Sequence, residues 1–172
     1  MKNLSFAIGS AYTALLVFLL ISIDQLICKF MPIGADKGLV YVAFVAWAVY
    51  FLSGGTVNGG IGAAIGYVFG IAFSILIMLL AGALSSLGFF AVPLGAMIVI
   101  FFVLYIEKLP KYNALAASFV AAGCFFGIMT YIPDATFCKA TIIELVYGAL
   151  GLVFGWITIA GKNLVIKPFE KK

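Results

Sequence analysis

Long, almost uninterrupted runs of apolar residues constrain this chain more than any other feature of its sequence. Six runs follow one another, at about residues 4–27, 38–52, 61–84, 89–106, 114–131 and 141–160. A helix needs about 20 mostly apolar residues to cross the hydrocarbon core of a bilayer. The runs lack the alternation of lipid-facing strands. We therefore predict an all-α integral membrane protein whose single membrane domain has six transmembrane helices.

The composition agrees with a lipid environment and excludes several functions. Of the 172 residues, 66% are hydrophobic and 9% are charged, whereas soluble domains have about 25% charged residues. Histidine is absent, which excludes histidine-based metal sites and general bases. No catalytic triad, carboxylate dyad, phosphate-binding loop or dinucleotide motif can be assembled. We expect no enzyme activity, no cofactor, no metal site and no nucleic-acid partner.

The lysines predict the orientation in the membrane. An even number of helices puts both termini on one side. Seven lysines fall on that side and three on the other: Lys2, Lys108, Lys111, Lys162, Lys167, Lys171 and Lys172 against Lys29, Lys37 and Lys139. Loops rich in lysine stay in the cytoplasm. We therefore predict cytoplasmic termini, with residues 161–172 as a basic tail.

Two of the three cysteines fall near the outer face. Cys28 follows the first run, and Cys138 precedes the sixth. In an oxidising outer compartment they could form a disulfide if they lie close together. The alternative is two unpaired thiols, and the sequence leaves both open.

An internal similarity indicates a three-helix unit used twice. Residues 44–46 (Phe-Val-Ala) resemble residues 119–121, and residues 66–70 (Gly-Tyr-Val-Phe-Gly) resemble residues 151–155. Because three is odd, the second copy would cross the membrane in the opposite sense. Inverted repeats of this kind are common in transporters. Chance similarity between apolar segments is the alternative.

A glycine-rich stretch between the second and third runs is the most unusual part of the sequence. It offers glycines that give room and uncharged polar groups that can contact a solute. The predicted pore or solute-binding residues are Ser53, Gly54, Gly55, Thr56 and Asn58, with Trp47 narrowing the path. The other interpretation is an ordinary cytoplasmic turn, with Trp47 as a core residue.

Three polar residues lie near the outer ends of apolar runs. Asp24 and Gln25 end the first run, and Glu144 begins the sixth. Ionisable groups in spanning segments are candidates for function, so we predict an outer vestibule. Both acids could instead reach water or a lysine such as Lys29 or Lys139. The centres of all six runs lack ionisable groups, which argues against ion or proton coupling.

Glycines recur at four-residue spacing in three of the runs. This spacing lets helix backbones approach closely in lipid. The residues predicted to pack helices are Gly62, Gly66, Gly70, Gly123, Gly127, Gly151 and Gly155. A thin pore lined by the same glycines is the alternative.

These segments together resemble a known family. The Ala/aromatic residues 48–51, the glycine-rich residues 53–62 and the Gly-x-x-x-Gly helix at 150–155 with its lysine-containing tail are similar to the YcdZ-type family of small bacterial inner-membrane proteins. The resemblance extends from about Leu15 to Leu164. It departs at residues 53–56, where this chain has Ser-Gly-Gly-Thr in place of Cys-Pro-Gln-Gly. The resemblance implies six helices in a bacterial cytoplasmic membrane and no particular substrate.

From these observations we predict a passive channel or facilitator for a small uncharged polar solute, such as urea, a short amide or a dissolved gas. We expect a homo-oligomer in lipid with one pore per subunit. A non-transporting scaffold or partner-binding subunit is the main alternative. A secondary carrier of a small organic substrate is the third.

Overall fold

The structure, a computed structural model, describes residues 2–32, 38–106, 108 and 115–170. These residues form six α-helices: α1 (Lys2–Ile27), α2 (Val40–Leu52), α3 (Val57–Ala83), α4 (Ala91–Ile106), α5 (Leu115–Tyr131) and α6 (Phe137–Glu170). Two 3₁₀ segments, Cys28–Phe30 and Ser85–Phe90, follow α1 and precede α4. The prediction of an all-helical protein with six apolar helices is confirmed. Lys37, Lys111, Lys171 and Lys172 of the lysine count, and residue 114 of the fifth run, lie outside the described residues.

The helices fall into two length classes. Four apolar spans are long enough to cross a membrane: Leu4–Phe30, Val57–Ala83, Ser85–Tyr105 and Phe137–Ile166. The helices α2 and α5 have 13 and 17 residues. At about 1.5 Å per residue, α2 is about 20 Å long, against a hydrocarbon core of about 30 Å. Both helices are therefore shorter than each of the four spans.

The outer surface of the bundle is apolar. Phe6, Leu52, Phe89 and Tyr131 are among many large side chains that are exposed on the helices. Exposed apolar area on this scale is unfavourable in water and favourable in lipid. The chain is therefore a membrane-embedded helical protein.

The sixth helix is longer than its apolar run. The run predicts an end at residue 160, whereas α6 continues to Glu170. Leucine and lysine, which favour helix, follow Gly161. The only proline in this part of the chain, Pro168, lies in the last turn of the helix. Most of the predicted basic tail is thus helical.

The two halves of the chain make equivalent helix contacts. The helix α2 packs mainly along α6, and α5 packs mainly along α3. The helix α1 lies on α6, while α4 lies on α3, and α3 and α6 contact each other. Exchanging α1, α2 and α3 for α4, α5 and α6 therefore leaves the main contacts unchanged.

Close glycine contacts repeat the same equivalence at the level of atoms. A Cβ added to Gly70 would collide with the carbonyl oxygen of Ser118 and with Ala121. A Cβ added to Gly151 would collide with the carbonyl oxygen of Ala43 and with Ala46. With residues 119–121 aligned on residues 44–46, Ser118 and Ala121 correspond to Ala43 and Ala46. By these contacts Gly70 corresponds to Gly151. The sequence similarity instead pairs Gly70 with Gly155, which lies one helical turn later.

Candidate functional site

The glycine-rich stretch folds into an ordered turn between α2 and α3. The backbone N–H groups of Gly54 and Gly55 donate to the carbonyl oxygens of Phe51 and Tyr50, at 3.0 and 3.1 Å. Both glycines have positive φ, +90° and +62°, which L side chains rarely adopt. These bonds end α2 in the manner of a glycine C-cap.

A threonine cap starts the next helix. The Thr56 hydroxyl accepts a hydrogen bond from the Gly59 N–H at 3.1 Å, so α3 begins at Val57 rather than at Ile61, where the apolar run begins. Asn58, Gly59 and Gly60 consequently lie in the first helical turn. The cap fixes Asn58 on a helix with its side chain exposed.

This turn borders a cleft of about 660 Å³ between α2, α3 and α5, which we name the turn cleft. Its lining is mostly small or uncharged: Val49, Leu52, Ser53, Gly54, Thr56, Asn58, Gly59, Gly62, Ala116, Ala117 and Val120. The amide of Asn58 and the hydroxyl of Ser53 can donate and accept hydrogen bonds. The cleft therefore suits a small neutral solute with polar groups.

The turn cleft has an apolar floor. Val49 and Ala117 belong to a buried cluster with Ala63 and Tyr67, each of them at most 3% exposed. Tyr67 packs its ring against Gly148 of α6, whose added Cβ would lie 3.1 Å from the ring. This buried cluster closes the cleft on the side of Val49 and Ala117.

Two residues of the predicted pore do not line the cleft. Gly55 faces Ile159 of α6. Trp47 is 5% exposed and lies in the main core, where its ring stacks on Phe44 at 6.1 Å and tilts against Phe154 at 5.7 Å. The structure brings together Ser53, Gly54, Thr56 and Asn58, as lining residues of one cleft.

The three residues predicted to form an outer vestibule lie in different environments. Gln25 is exposed on α1. Asp24 is 8% exposed and accepts a hydrogen bond of 2.5 Å from the Tyr147 hydroxyl of α6. Glu144 is fully buried. The interfacial position inferred from the sequence thus does not describe Glu144, because neighbouring helices cover it.

Glu144 lies within electrostatic range of polar residues on three other helices. Tyr41 of α2, Tyr67 of α3 and Cys124 of α5 are close enough to interact electrostatically with its carboxyl group. We name these four residues the Glu144 cluster. Neither carboxyl oxygen of Glu144 has a hydrogen-bond partner in the described part of the chain, and the same holds for the Tyr67 hydroxyl. Lys139, one turn away, donates to the Asp134 carbonyl oxygen instead, at 3.3 Å.

Sequence reasoning missed the tyrosines and the cysteine of this cluster. Tyr147, three residues after Glu144, and Tyr41 and Tyr67 in otherwise apolar helices were available signals, since a hydroxyl buried in a membrane protein needs a polar partner.

The three cysteines are unpaired, with Cys28 half-buried, Cys124 buried and Cys138 exposed. Among the described residues, no group of three potential metal ligands occurs.

The predicted packing glycines differ in what surrounds them. Gly70 and Gly151 meet backbone atoms of α5 and α2, and Gly155 meets the Tyr50 ring. Gly127 lies against the Tyr41 hydroxyl, and Gly66 is buried. A Cβ at Gly62 or Gly123 would meet open space. Close helix approach therefore depends on a subset of the glycines.

A family model described as "Protein of unknown function (DUF1097)" matches residues 14–163. The match covers nearly the stretch that resembles the YcdZ-type family, and the YcdZ-type assignment itself stays a prediction. No curated protein and no solved structure matches the chain.

Proposed function

The chain belongs to the DUF1097 family, whose function is unknown, and we propose from its own site that it carries a small uncharged polar solute across the membrane. The observation that carries this proposal is the turn cleft, where uncharged polar groups and small residues line a space of about 660 Å³ within an apolar protein. Non-helical backbone at membrane depth is tolerated where it is buried or lines a water-filled cavity. Urea, short amides and similar molecules match the hydrogen-bonding groups of this lining.

The proposed pathway runs from the turn cleft past Tyr67 to the Glu144 cluster. Tyr67 packs with the cleft-floor residues Val49 and Ala117. It is also within electrostatic range of Glu144 and Cys124. Movement of this one side chain would therefore connect the two polar regions.

The equivalent contacts of the two halves support a pair of inverted three-helix repeats. In transporters built this way, the solute site lies near the midplane at the junction of the repeats, and access alternates between the two sides. We propose that all six helices contribute to the membrane domain, with the short helices α2 and α5 lining the pathway. The lysine distribution supports cytoplasmic termini, and the resemblance to the YcdZ-type family supports a bacterial inner membrane. Six helices are few for a carrier, which supports a homo-oligomer with one pathway per subunit.

The closed floor favours gated passage over a permanently open channel. A secondary carrier, which the sequence ranked third, gains support from the complete burial of Glu144. A scaffold that transports nothing is the outcome if no flux is found.

The test is acetamide flux into proteoliposomes, followed by light scattering. Gly62→Ile fills the cleft without a clash, because a Cβ at Gly62 meets nothing within 4 Å. We expect it to lower the flux about tenfold, which a barrier increase of about 1.4 kcal/mol produces. Asn58→Leu, which removes the exposed amide, should act in the same direction.

Gly123→Ile is the matched control, since Gly123 also has open space around it but is exposed on α5 away from the cleft. It should leave the flux unchanged. Equal flux through protein-free and protein-containing liposomes, for acetamide and for urea, would refute the proposal and favour the scaffold.

A further inference from the structure

We propose that Glu144 is a proton-binding site sealed between α2, α3, α5 and α6, and that it couples solute movement to a proton. The site itself is independent of the transport function, whereas the coupling rests on it. The chemistry is the addition of one proton from water to one carboxylate oxygen, forming an O–H bond, and its release when the cluster opens.

The first argument is the cost of an unpaired charge. An ionised carboxylate moved from water into an apolar interior costs several kcal/mol or more unless it is paired and hydrogen-bonded. Glu144 has no accessible surface, and neither oxygen has a hydrogen-bond partner in the described part of the chain. A positive charge must therefore accompany this carboxylate whenever the cluster is closed.

The second argument concerns the identity of that charge. Within the described ranges, the nearby lysine, Lys139, is engaged with the Asp134 carbonyl. A metal ion or an amine would need several oxygen ligands and room around them, but both carboxyl oxygens of Glu144 are covered by neighbouring atoms. A proton needs a single oxygen and no additional space.

The third argument is the set of groups that face the carboxyl. Tyr41, Tyr67 and Cys124 carry neutral hydroxyl and thiol groups within electrostatic range of the carboxyl, on three of the four helices that pack against α6. On α6 itself, Tyr147 is held by Asp24 of α1. Hydroxyl and thiol groups can relay a proton without carrying a full charge. Intramembrane carboxyl groups in such chains commonly serve as proton relays.

Infrared spectroscopy of the full chain in liposomes tests the site. A protonated carboxylic acid has its own C=O stretching band, which ionised carboxylates lack. The chain has six acidic residues, and we expect the band at neutral pH to arise from Glu144. It should disappear in Glu144→Gln and return in Glu144→Asp, with circular dichroism verifying the helices.

Two variants control the assignment. Asp134→Asn removes an exposed carboxylate and should leave the band unchanged. Asp24→Asn removes the other buried acid, which has a hydrogen-bond donor in Tyr147, and should also leave the band. A wild-type protein without the band, or a band that survives in Glu144→Gln, would overturn the proton site.

Flux measurements then test the coupling. We expect acetamide uptake by the wild type to respond to an imposed pH difference, and Glu144→Gln to lose that response while still equilibrating acetamide. If the infrared band is present and acetamide uptake does not respond to the pH difference, the proposed coupling is wrong. If no acetamide moves at all, the transport function fails while the infrared result still decides the proton site.

Discussion

The turn cleft and the Glu144 cluster occupy corresponding places in the two halves of the molecule, yet one is open and the other is sealed. Ala116 and Gly62 line the open cleft. When Ser118 is matched to Ala43, Ala116 corresponds to Tyr41 in the other half. When Gly70 is matched to Gly151, Gly62 corresponds to Ile143. The same helix arrangement thus leaves room where the side chains are small and closes where they are large.

The polar character of the two regions differs as well. Ala63 in the cleft floor corresponds to Glu144, and Val49 corresponds to Cys124. The cleft offers uncharged groups at its rim, where water can reach them, whereas the cluster keeps one ionisable group away from water. In the proposed function, the cleft admits the solute and the cluster holds the proton.

The largest expected effect concerns the two glycines that define the correspondence. Gly70→Val and Gly151→Val should each destabilise the protein by about 3 kcal/mol or more, because even a Cβ collides with a backbone carbonyl and helices must separate. Thermal unfolding in detergent measures this, with Gly123→Val as the control. Destabilisation by only one of the two would break the equivalence of the halves.

The next prediction concerns Tyr41, which is 39% exposed and is the outermost residue of the Glu144 cluster. In a protein lacking Cys28 and Cys138, buried Cys124 should react slowly with a water-soluble maleimide. Tyr41→Ala should raise that rate by on the order of tenfold, because thiol reactivity depends on access to water. Tyr41→Phe, which keeps the ring, is the control. An unchanged rate in Tyr41→Ala would show that the Tyr41 ring does not shield Cys124 from water.

A smaller effect is expected at the Asp24–Tyr147 bond. Tyr147→Phe leaves a buried acid without its donor and should cost about 1–3 kcal/mol of unfolding free energy. Tyr12→Phe offers the comparison. Its hydroxyl donates to the Ile157 carbonyl oxygen of α6 at 2.9 Å, and no acid takes part in that bond. Equal losses in the two variants would contradict a special role for the acid.

The smallest effect concerns two helix caps. The Thr56 hydroxyl accepts a hydrogen bond from the Gly59 N–H at 3.1 Å, and the Thr136 hydroxyl accepts one from the Lys139 N–H at 3.3 Å. The third helix of each half, α3 and α6, is therefore capped by a threonine. Thr56→Ala and Thr136→Ala should each cost about 1 kcal/mol, measured by thermal unfolding. The serine variants should stay within error of the wild type, and a loss confined to one threonine would distinguish the two halves at their caps.

The sequence by itself determined the helices and the neutral character of the turn. Continuous apolar runs can satisfy their backbone groups in lipid only as helices, and the glycines and Thr56 specify where α2 ends and α3 begins. It also contained the similarity between residues 44–46 and 119–121. The sequence alignment of α3 with α6 differs from the contacts by one helical turn, because successive Gly-x-x-x-Gly patterns along a helix are alike.

Only the tertiary structure decided which residues meet. Trp47 faces the core rather than the turn cleft, and Glu144 is buried rather than interfacial, because the direction of a side chain and the cover over it depend on which helices pack beside it. Tyr41, Tyr67 and Cys124 come from three separate helices, so no spacing along the chain could bring them to Glu144. Burial is a property of the assembled bundle, and it makes an acid near the end of an apolar run the proposed proton site.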